Sequence, residues 1–335
     1  MKAAVLKNKT LELKDISPPI LKKSGAIVKI YGCGLCGSDI VKLKQNLVAD
    51  GAVLGHEIVG EIIEINTEKT AFKLGDKIVS GHHVPCFACV YCQSGNYSMC
   101  RKFKETNILP GGFSEYIFLS EDHLLHSAFK LSGTISYEEA SFTEPLACCL
   151  RAVKRAGVSP NKTVLVMGLG SIGLLIGQAA KVYGATVFGC DLFDERVNLS
   201  ETLGFDQSFK YEEDFADKIK ENNDNLGVDI VFLASGSNKS LSPALKSIRD
   251  GGTICVFSSV SSYADGFANN EIYYRELTVM GSYSPSTQDL KESLKLIEMG
   301  KVKVDTLISN YPLGQINEAI EDTLNNRILK AYIKL

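Results

Sequence analysis

The first part of the chain has the hydrophobic pattern of short antiparallel strands. Residues 3–6, 11–13 and 26–30 form short apolar or alternating runs, separated by polar residues and prolines. Such runs are typical of half-buried strands. Residues 31–39 contain too many glycines for a strand interior, and they predict a loop that leads into a short helix. The pattern predicts a small β-rich domain.

From residue 163 onward, apolar strand-type runs alternate with helical segments. A strand-type run at 163–167 precedes an apolar helical segment that extends to about Tyr183, and a second strand follows at 186–190. Further strands are predicted at 228–233, 252–257 and 277–281, and a helix is predicted at 241–248. Strands that alternate with helices in this way indicate a doubly wound parallel sheet.

The pattern near the end of the sequence predicts two helices and then a strand at 330–334. We expect this segment to return to the first domain. A length of 335 residues is sufficient for two domains. We therefore predict an α/β protein with a β-rich domain of residues 1–145 and 285–335. The doubly wound domain comprises residues 146–284.

A glycine-rich segment stands between the first strand and the first helix of the doubly wound domain. It reads Gly-Leu-Gly-Ser-Ile-Gly at 168–173, and Asp191 ends the next strand. In a strand–turn–helix context this spacing is typical of a dinucleotide site, whereas an ordinary glycine-rich turn is the alternative. The glycines allow a tight turn and a close approach to a pyrophosphate, and the helix start offers N–H groups. The predicted cofactor-binding residues are Gly168, Gly170, Ser171, Ile172, Gly173, Asp191 and Arg196.

Asp191 favours NAD as the cofactor. A carboxylate at this strand end can accept hydrogen bonds from both ribose hydroxyls, and it repels the 2′-phosphate of NADP. Arg196, five residues further on, complicates this prediction because it could reach an adenine-side phosphate. We expect Arg196 to stack on adenine or to pair with an acid.

Composition and charge exclude several classes of protein. The sequence is 45% hydrophobic and 22% charged, which is typical of a globular protein. A net charge of −3 gives no basic field for nucleic-acid binding. No apolar run approaches the ~20 residues of a membrane span, and the N-terminus lacks the apolar core of a signal peptide. We expect a cytoplasmic protein without a nucleic-acid or membrane partner.

The ten cysteines indicate metal binding or buried thiols, because a chain without an export signal rarely relies on disulfides. Cys86, Cys89, Cys92 and Cys100 are separated by two, two and seven residues. Four thiolates at this spacing can enclose a zinc ion tetrahedrally and leave no open position, as in structural sites. An iron–sulfur cluster or free thiols are the alternatives, but the ferredoxin spacing is not matched.

A second group of metal-ligand residue types is dispersed along the chain. Cys33 and Cys36 could form a redox pair, but no thioredoxin-like βαβ pattern surrounds them. His56 and Glu57 begin an apolar strand, where an isolated histidine usually has a packing role. Glu144 opens a helix and could be a simple cap. With Cys36 upstream and Glu144 downstream, ligand chemistry at His56 is the competing interpretation.

These motifs together resemble those of the zinc-dependent medium-chain alcohol and polyol dehydrogenases. Over essentially the whole chain the family order is present, namely GLCGSD, GHE, the four cysteines, EPLA and GLGSIG. Sorbitol, threonine and glucose dehydrogenases are the nearest in pattern. The resemblance implies a GroES-like catalytic domain joined to a Rossmann domain.

The resemblance also implies roles for single residues. Cys36 and His56 match two ligands of the catalytic zinc, and Glu144 matches the third ligand of the sorbitol and glucose dehydrogenase branches. Glu57 matches a residue that either coordinates zinc or holds the metal-bound water. Zinc with three protein ligands keeps one position open for a substrate oxygen.

Three neighbouring residues concern the proton and the histidine ligand. By resemblance, the Ser38 hydroxyl hydrogen-bonds the substrate alcohol, and Asp39 orients the histidine ligand. Val41 stands where many family members have a histidine that relays the proton to solvent. The route of the proton is therefore open. His82 and His83 receive no role from the sequence.

The resemblance implies hydride transfer between NAD and a secondary alcohol, a polyol, a sugar or a sugar phosphate, with two zinc ions per chain. A zinc-free enone or quinone reductase and a non-enzymatic nucleotide- or redox-sensing zinc protein are the alternatives. Lys42, Lys44 and Arg101 could bind a substrate phosphate or be surface charges. We also expect a homodimer or homotetramer that is joined in part by the edge strand at 277–280.

Overall fold

The structure is a computed structural model that describes residues 1–21, 23–259 and 268–335. It contains two compact units. The first unit comprises Met1–Pro145, Ser286–Gly300 and Val304–Leu335. The second unit comprises Leu146–Pro285 and Lys301–Lys303. None of the helices in the described residues is long and apolar enough to cross a membrane.

The strands of the described residues are numbered in chain order. They are β1 (Lys2–Lys7), β2 (Thr10–Asp15), β3 (Gly25–Gly34), β4 (Glu57–Asn66), β5 (Lys77–Ser80), β6 (Tyr116–Ser120), β7 (Ala128–Lys130), β8 (Thr163–Met167), β9 (Thr186–Asp191), β10 (Gln207–Lys210), β11 (Val228–Leu233), β12 (Ile248–Val256), β13 (Thr278–Gly281), β14 (Ile308–Pro312) and β15 (Lys330–Lys334).

The helices follow the same order along the chain. They are α1 (Gly37–Lys44), α2 (Val90–Gln93), α3 (Arg101–Glu105), α4 (Glu121–His126), α5 (Tyr137–Ala140), α6 (Thr143–Arg155), α7 (Ser171–Val182), α8 (Asp194–Thr202), α9 (Phe215–Glu221), α10 (Leu241–Ser247), α11 (Asn269–Tyr274), α12 (Thr287–Glu298) and α13 (Ile316–Leu324).

The first unit is built on a mixed sheet with the strand order β14-β15-β3-β4-β5-β7, and β6 pairs with β3 beside this path. The last strand, β15, pairs antiparallel with β3. Apolar side chains of β3 and β4, such as Val28, Ile58 and Ile62, belong to its main core cluster. The sheet thereby brings the ends of β3, β4 and β15 together.

β3 is longer than the sequence predicts, because it continues through Gly32 and ends at Gly34. The glycines serve close packing at this end of the strand and do not form a loop. A Cβ atom at Gly32 would lie 2.0 Å from the ring of Tyr332, and one at Gly34 would lie 1.9 Å from Glu57 Oε2. The predicted loop is therefore wrong over residues 31–34, since distant side chains occupy the space that side chains there would need.

The second unit contains a six-stranded sheet in the order β10-β9-β8-β11-β12-β13 among the described residues. Every neighbouring pair is parallel. In chain order this is the 3-2-1-4-5-6 arrangement of a dinucleotide-binding Rossmann sheet. The predicted doubly wound parallel sheet is confirmed. The sequence does not predict β10, because its residues Gln-Ser-Phe-Lys include a single apolar side chain.

Candidate metal and cofactor sites

Three ligand-type side chains meet at the ends of β3 and β4. Cys36 precedes α1, while His56 and Glu57 enter β4. A sulfur, an imidazole nitrogen and a carboxylate oxygen of these residues all lie within 4.8 Å of one another. The antiparallel register, which places Gly34 opposite Glu57, brings the two segments together. We call Cys36, His56 and Glu57 the Cys36 group.

Asp39 lies behind the imidazole of His56. Its Oδ1 is 3.3 Å from His56 Nδ1, and its Oδ2 accepts a hydrogen bond of 3.4 Å from the Cys36 N–H in the first turn of α1. Burial opposes ionisation of Asp39, but the neighbouring imidazole outweighs burial and lowers the pKa of this carboxyl. Because Asp39 faces Nδ1, His56 Nε2 is the nitrogen that can bind a metal.

Glu57 forms a buried ion pair with Lys330, the first residue of β15. Lys330 Nζ lies 2.6 Å from Oε1 and 2.5 Å from Oε2 of Glu57, and the two residues are 6% and 1% exposed. Burial favours the neutral amine, yet the Glu57 carboxylate outweighs burial and raises the pKa of Lys330. The Glu57 carboxylate therefore has a compensating charge within the protein.

Glu144 is the second residue of α6 and is buried. Among the described residues it is not a member of the Cys36 group. It lines a small cavity together with Glu57, and its charge contributes to the raised pKa of Lys330. The structure thus places Glu144 near Glu57 and Lys330 without bringing it into the close ligand set.

Ser38 lies next to the sulfur of Cys36. Its hydroxyl and its N–H donate to Cys36 Sγ over 3.3 and 3.5 Å, and Ser38 is exposed. Val41 lies one turn further along α1 and offers no polar atom on its side chain. An exposed hydroxyl beside a ligand-type sulfur can contact a small molecule that approaches this sulfur.

The Cys36 group fits a zinc ion by its donor chemistry. Thiolate, imidazole and carboxylate are the donors that zinc binds in proteins. Glu57 Oε2 and Asp39 Oδ1 are buried and make no hydrogen bond of good geometry within the described residues. Lys330 Nζ nevertheless lies within ion-pair distance of Glu57 Oε2, and His56 Nδ1 lies within ion-pair distance of Asp39 Oδ1. Both oxygens therefore have a charged or polar neighbour without a well-aligned hydrogen bond. A cation at this position would add a partner to a set of buried donors.

The four cysteines at 86, 89, 92 and 100 form the second ligand cluster, which we call the four-cysteine group. All four sulfurs lie within 4.8 Å of one another, and Cys92 Sγ is 3.9 Å from Cys86 Sγ and 3.6 Å from Cys89 Sγ. A tetrahedron with Zn–S bonds of about 2.3 Å has sulfurs roughly 3.8 Å apart, whereas a disulfide needs ~2.05 Å. The spacing fits a zinc ion with four thiolate ligands.

The thiols of this cluster have uneven proton affinities. Backbone N–H groups of Ala88 and Cys89 lower the pKa of Cys86 to about 6. Burial and the neighbouring sulfurs raise the pKa of Cys92 to about 12. Negative charge on one sulfur thus disfavours ionisation of the next. A bound cation would remove this conflict, since zinc deprotonates its thiol ligands.

The glycine-rich segment of the second unit connects β8 to α7. Gly168 has φ +96°, a conformation that favours glycine, and a Cβ atom at Gly173 would lie 1.8 Å from Gly168 O. Gly170 precedes the first helical residue, Ser171, and Ile172 follows in the first turn. The N–H groups of a first helical turn have no partner within the helix, which suits the pyrophosphate of a dinucleotide.

Asp191 ends β9 directly beside this turn. Its Oδ2 accepts from Leu169 N over 2.6 Å, and its Oδ1 accepts from Phe193 N over 3.1 Å. Arg196 Nη1 is 3.7 Å from Asp191 Oδ2, and the guanidinium lies 4.9 Å from the centre of the Phe193 ring. The structure therefore brings Gly168, Asp191 and Arg196 to one place, with the arginine beside the acid.

Two features of these sites escape sequence reasoning. Lys330 is a lysine at the start of a strand, where lysines are usually exposed, so the sequence contains no signal of its burial. His82 and His83 are adjacent to the four-cysteine group in sequence. His82 contacts the His56 ring and His83 contacts the His82 ring, and the first contact depends on how the sheet brings residues 56 and 82 together.

Comparison with known proteins identifies the family. The family model "Alcohol dehydrogenase GroES-like domain" matches residues 22–128, and "Zinc-binding dehydrogenase" matches residues 171–299. Sorbitol dehydrogenase of Bacillus subtilis (strain 168) is 28% identical over 99% of this chain and 97% of that protein. D-arabitol-phosphate dehydrogenase of Enterococcus avium is 30% identical over 96% of this chain and 92% of that protein.

A solved structure agrees with these matches. Galactitol-1-phosphate dehydrogenase from Escherichia coli superposes with a TM-score of 0.88 at 26% identity, and the match covers 100% of both chains. The predicted combination of a GroES-like domain and a Rossmann domain is confirmed. The chain belongs to the zinc-dependent medium-chain alcohol and polyol dehydrogenase family.

Proposed function

We propose that this protein interconverts a polyol and the corresponding ketone, with NAD as the hydride carrier and zinc at the Cys36 group. The observation that carries the proposal is the Cys36 group itself, in which His56 and Glu57 are buried, Asp39 lies behind the histidine and Ser38 lies beside the sulfur. A protein that only senses nucleotides has no need for an exposed hydroxyl beside a cysteine and histidine ligand pair. A zinc-free reductase needs neither ligand cluster.

In this proposal Cys36 and His56 of the Cys36 group would hold the catalytic zinc. Glu144, which lies near Glu57 but outside this group, would complete the set as the third ligand, and the four-cysteine group would hold a structural zinc. A zinc ion held there would act as a Lewis acid and would make the substrate hydroxyl more acidic. Glu57 is held by Lys330, so its carboxylate stays close to the ligand set while its charge is compensated. Because of Lys330, Glu57 would not be an isolated buried charge, whether it would bind the metal directly or hold a water beside it.

The remaining residues of the site handle the proton and the orientation of the ligands. Ser38 accepts a hydrogen bond from the substrate hydroxyl and passes the proton on, because a serine hydroxyl does not retain an extra proton. Val41 provides no relay group, so water or another side chain completes the route. Asp39 keeps the His56 ring in one tautomer and one orientation, which is what metal-binding histidines require.

NAD binds to the second unit in this proposal. The turn at Gly168–Gly173 and the start of α7, with Ser171 and Ile172, contact the pyrophosphate, and Asp191 accepts from the ribose hydroxyls. Bound NAD supplies the hydride acceptor. Asp191 already accepts two backbone N–H groups, which fixes its carboxylate, and each oxygen retains a lone pair for a ribose hydroxyl.

The substrate class in the proposal is polyols, with polyol phosphates as the finer alternative. Two of the similar proteins are named for phosphorylated substrates and one for sorbitol. Arg101 is a weak phosphate candidate, because it is highly exposed and pairs with Glu105. Lys42 is half-buried on the α1 helix that carries Ser38, so it is the better candidate.

The cellular setting and the assembly are also part of the proposal. We place the protein in the cytoplasm as a homodimer or homotetramer. β13 is the edge strand of the second sheet among the described residues, and Val279 on it is 38% exposed. An apolar edge strand tends to pair with another chain. Sedimentation as a monomer at micromolar concentration would refute the oligomer.

The function is tested by measuring NADH formation with matched pairs of free and phosphorylated polyols and with simple secondary alcohols. Turnover with polyols that is lost in Cys36→Ser but retained in Cys255→Ala supports the proposal, since Cys255 is a buried cysteine outside both ligand clusters. A preference for the phosphorylated partner that disappears in Lys42→Met assigns the phosphate contact. Turnover that survives in Cys36→Ser would refute the assignment of the site.

A further inference from the structure

Four aromatic rings form a continuous row in the first unit. The ring centres of His56 and His82 are 4.5 Å apart, those of His82 and His83 are 3.9 Å apart, and those of His83 and Phe103 are 4.8 Å apart. Each pair is tilted by about 45°, as aromatic pairs in contact often are. We call these four residues the ring row. Within the described residues, His82 and His83 belong to neither ligand cluster.

The two ends of the ring row lie at the two proposed metal sites. His56 is a member of the Cys36 group. Phe103 is buried and packs in one small cluster with Cys92 and Cys100 of the four-cysteine group. It lies on α3, which begins directly after Cys100. The row therefore connects one ligand of the first site with the packing around the second.

Hydrogen bonds hold the chain segment that carries His82 and His83, the two middle residues of the ring row. His83 Nδ1 donates to the carbonyl oxygen of Thr106, which follows α3. The carbonyl of His82 accepts from His123 Nε2 over 3.0 Å, because a carbonyl oxygen can only accept. His123 Nδ1 then accepts from the hydroxyl of Ser120 over 2.7 Å. These bonds hold the His83 ring and the backbone of His82, and the His82 ring lies between the rings of His56 and His83.

We propose that His82 is a positioning residue that holds the ring of the metal ligand His56, and that the ring row transmits the rigidity of the four-cysteine group to the catalytic metal. Asp39 contacts the edge of the His56 ring at Nδ1, while His82 contacts the ring itself. Together the two contacts determine the direction in which Nε2 points. This inference rests on the proposed role of His56 as a zinc ligand.

The physical basis is the cost of reorienting a ligand. An imidazole that can rotate must lose this freedom when it binds a metal, so a held ring binds more tightly than a free one. Groups that orient a metal ligand typically change metal affinity by about 10- to 100-fold. A tilted ring contact of this kind requires a ring but no ionisable nitrogen, so phenylalanine at residue 82 should preserve the contact with His56.

The test uses the full-length holoprotein, with zinc in the four-cysteine group and cobalt exchanged into the catalytic site. Affinity is measured by competition with a chelator, and the cobalt absorption bands report the geometry of the site. We expect His82→Ala to weaken cobalt binding about 10- to 100-fold and to shift the bands. His82→Phe should stay within about threefold of the wild type, because it keeps the ring contact.

His126→Ala is the matched control. The His126 ring contacts the Phe87 ring with centres 4.6 Å apart and a tilt of 52°, which is the same kind of contact outside the ring row. Its cobalt affinity should equal that of the wild type. Unchanged affinity in His82→Ala, or equal losses in His82→Ala and His82→Phe, would overturn the inference.

A further variant covers the case in which His82→Ala also loses the four-cysteine zinc. In that case cobalt binding is measured in His83→Ala, because the His83 ring contacts both His82 and Phe103 and its removal interrupts the ring row. Weaker cobalt binding with retained four-cysteine zinc supports the row, and unchanged binding refutes it. A wild-type protein that binds metal only at the four-cysteine group would instead refute the proposed function, and the ring row inference with it.

Discussion

Lys330 Nζ lies 2.6 Å from Glu57 Oε1, and both residues are buried although 273 positions separate them in the chain. The ion pair joins the last strand, β15, to the start of β4, where the proposed zinc ligand His56 lies. Strand β15 is therefore part of the proposed metal site and does more than close the sheet. Two further observations support this: Gly34 packs on the same carboxylate, and Glu144 adds charge near the same lysine.

Lys330→Met should destabilise the protein strongly. The substitution leaves the Glu57 carboxylate buried without its partner, and breaking a buried pair in this way typically costs about 3–5 kcal/mol. The free energy of unfolding, measured with urea at fixed metal content, tests this. The double variant Lys330→Met/Glu57→Gln should recover most of the loss, because no unpaired charge remains. A single variant as stable as the wild type would show that Glu57 is neutral or solvated.

Alanine substitutions at two glycines of the cofactor turn should have different effects, one on stability and the other on NAD binding. Alanine at Gly173 would collide with the backbone oxygen of Gly168, so it should cost about 1–3 kcal/mol of stability. A Cβ atom at Gly170 would meet no atom of the described residues within 4 Å, and we expect Gly170→Ala to fold as well as the wild type. It should weaken NAD binding, because the methyl group occupies space near the proposed pyrophosphate position. Calorimetric titration with NAD and thermal unfolding distinguish the two effects.

Cofactor preference should depend on Asp191 and Arg196 together. Wild-type protein should use NAD much better than NADP, and Asp191→Ala should narrow or reverse this ratio. The arginine is 3.7 Å from the acid, so removal of the carboxylate leaves Arg196 available to a 2′-phosphate. The double variant Asp191→Ala/Arg196→Ala should therefore lose the gain with NADP. Equal kcat/KM for both cofactors in the wild type would contradict the role of Asp191.

Asp229 should stabilise the second unit in a pH-dependent manner. Burial disfavours its ionisation, but Thr163 N–H, Arg249 and Lys162 outweigh burial and lower the pKa of Asp229 to about 2. A lowered pKa in the folded state means that this stabilisation is present above the unfolded pKa of about 4 and is lost as the pH falls towards 2. Asp229→Asn should thus reduce the unfolding free energy at pH 6. The difference from the wild type should shrink below pH 4, and a constant difference would contradict the assignment.

The features that the sequence predicts well are carried by neighbouring residues. The turn at Gly168–Gly173 and the four cysteines are contiguous motifs whose spacing has a direct geometric meaning. The predicted strand at 330–334 also coincides with β15. A short apolar run is sufficient to predict such a strand, and Ala331, Tyr332 and Ile333 of β15 are all buried.

The features that the sequence does not predict depend on contacts between distant segments. Gly32 and Gly34 belong to β3 because Tyr332 and Glu57 fill the space beside them. The burial of Lys330 depends on Glu57, and the contact between His82 and His56 depends on the pairing of β4 with β5. None of these contacts leaves a periodic signal, since each is made by a single pair of side chains.

In the proposed function, Cys36 and His56 hold a catalytic zinc ion that is separate from the zinc of the four-cysteine group. The most direct measurement is the zinc content per chain of the wild type and of Cys36→Ser, with NADH formation measured on the same samples. We predict about two zinc ions in the wild type and about one in the variant, which should stay folded and lose turnover. One zinc ion or fewer in the wild type, with zinc content and turnover unchanged in Cys36→Ser, would contradict the claim.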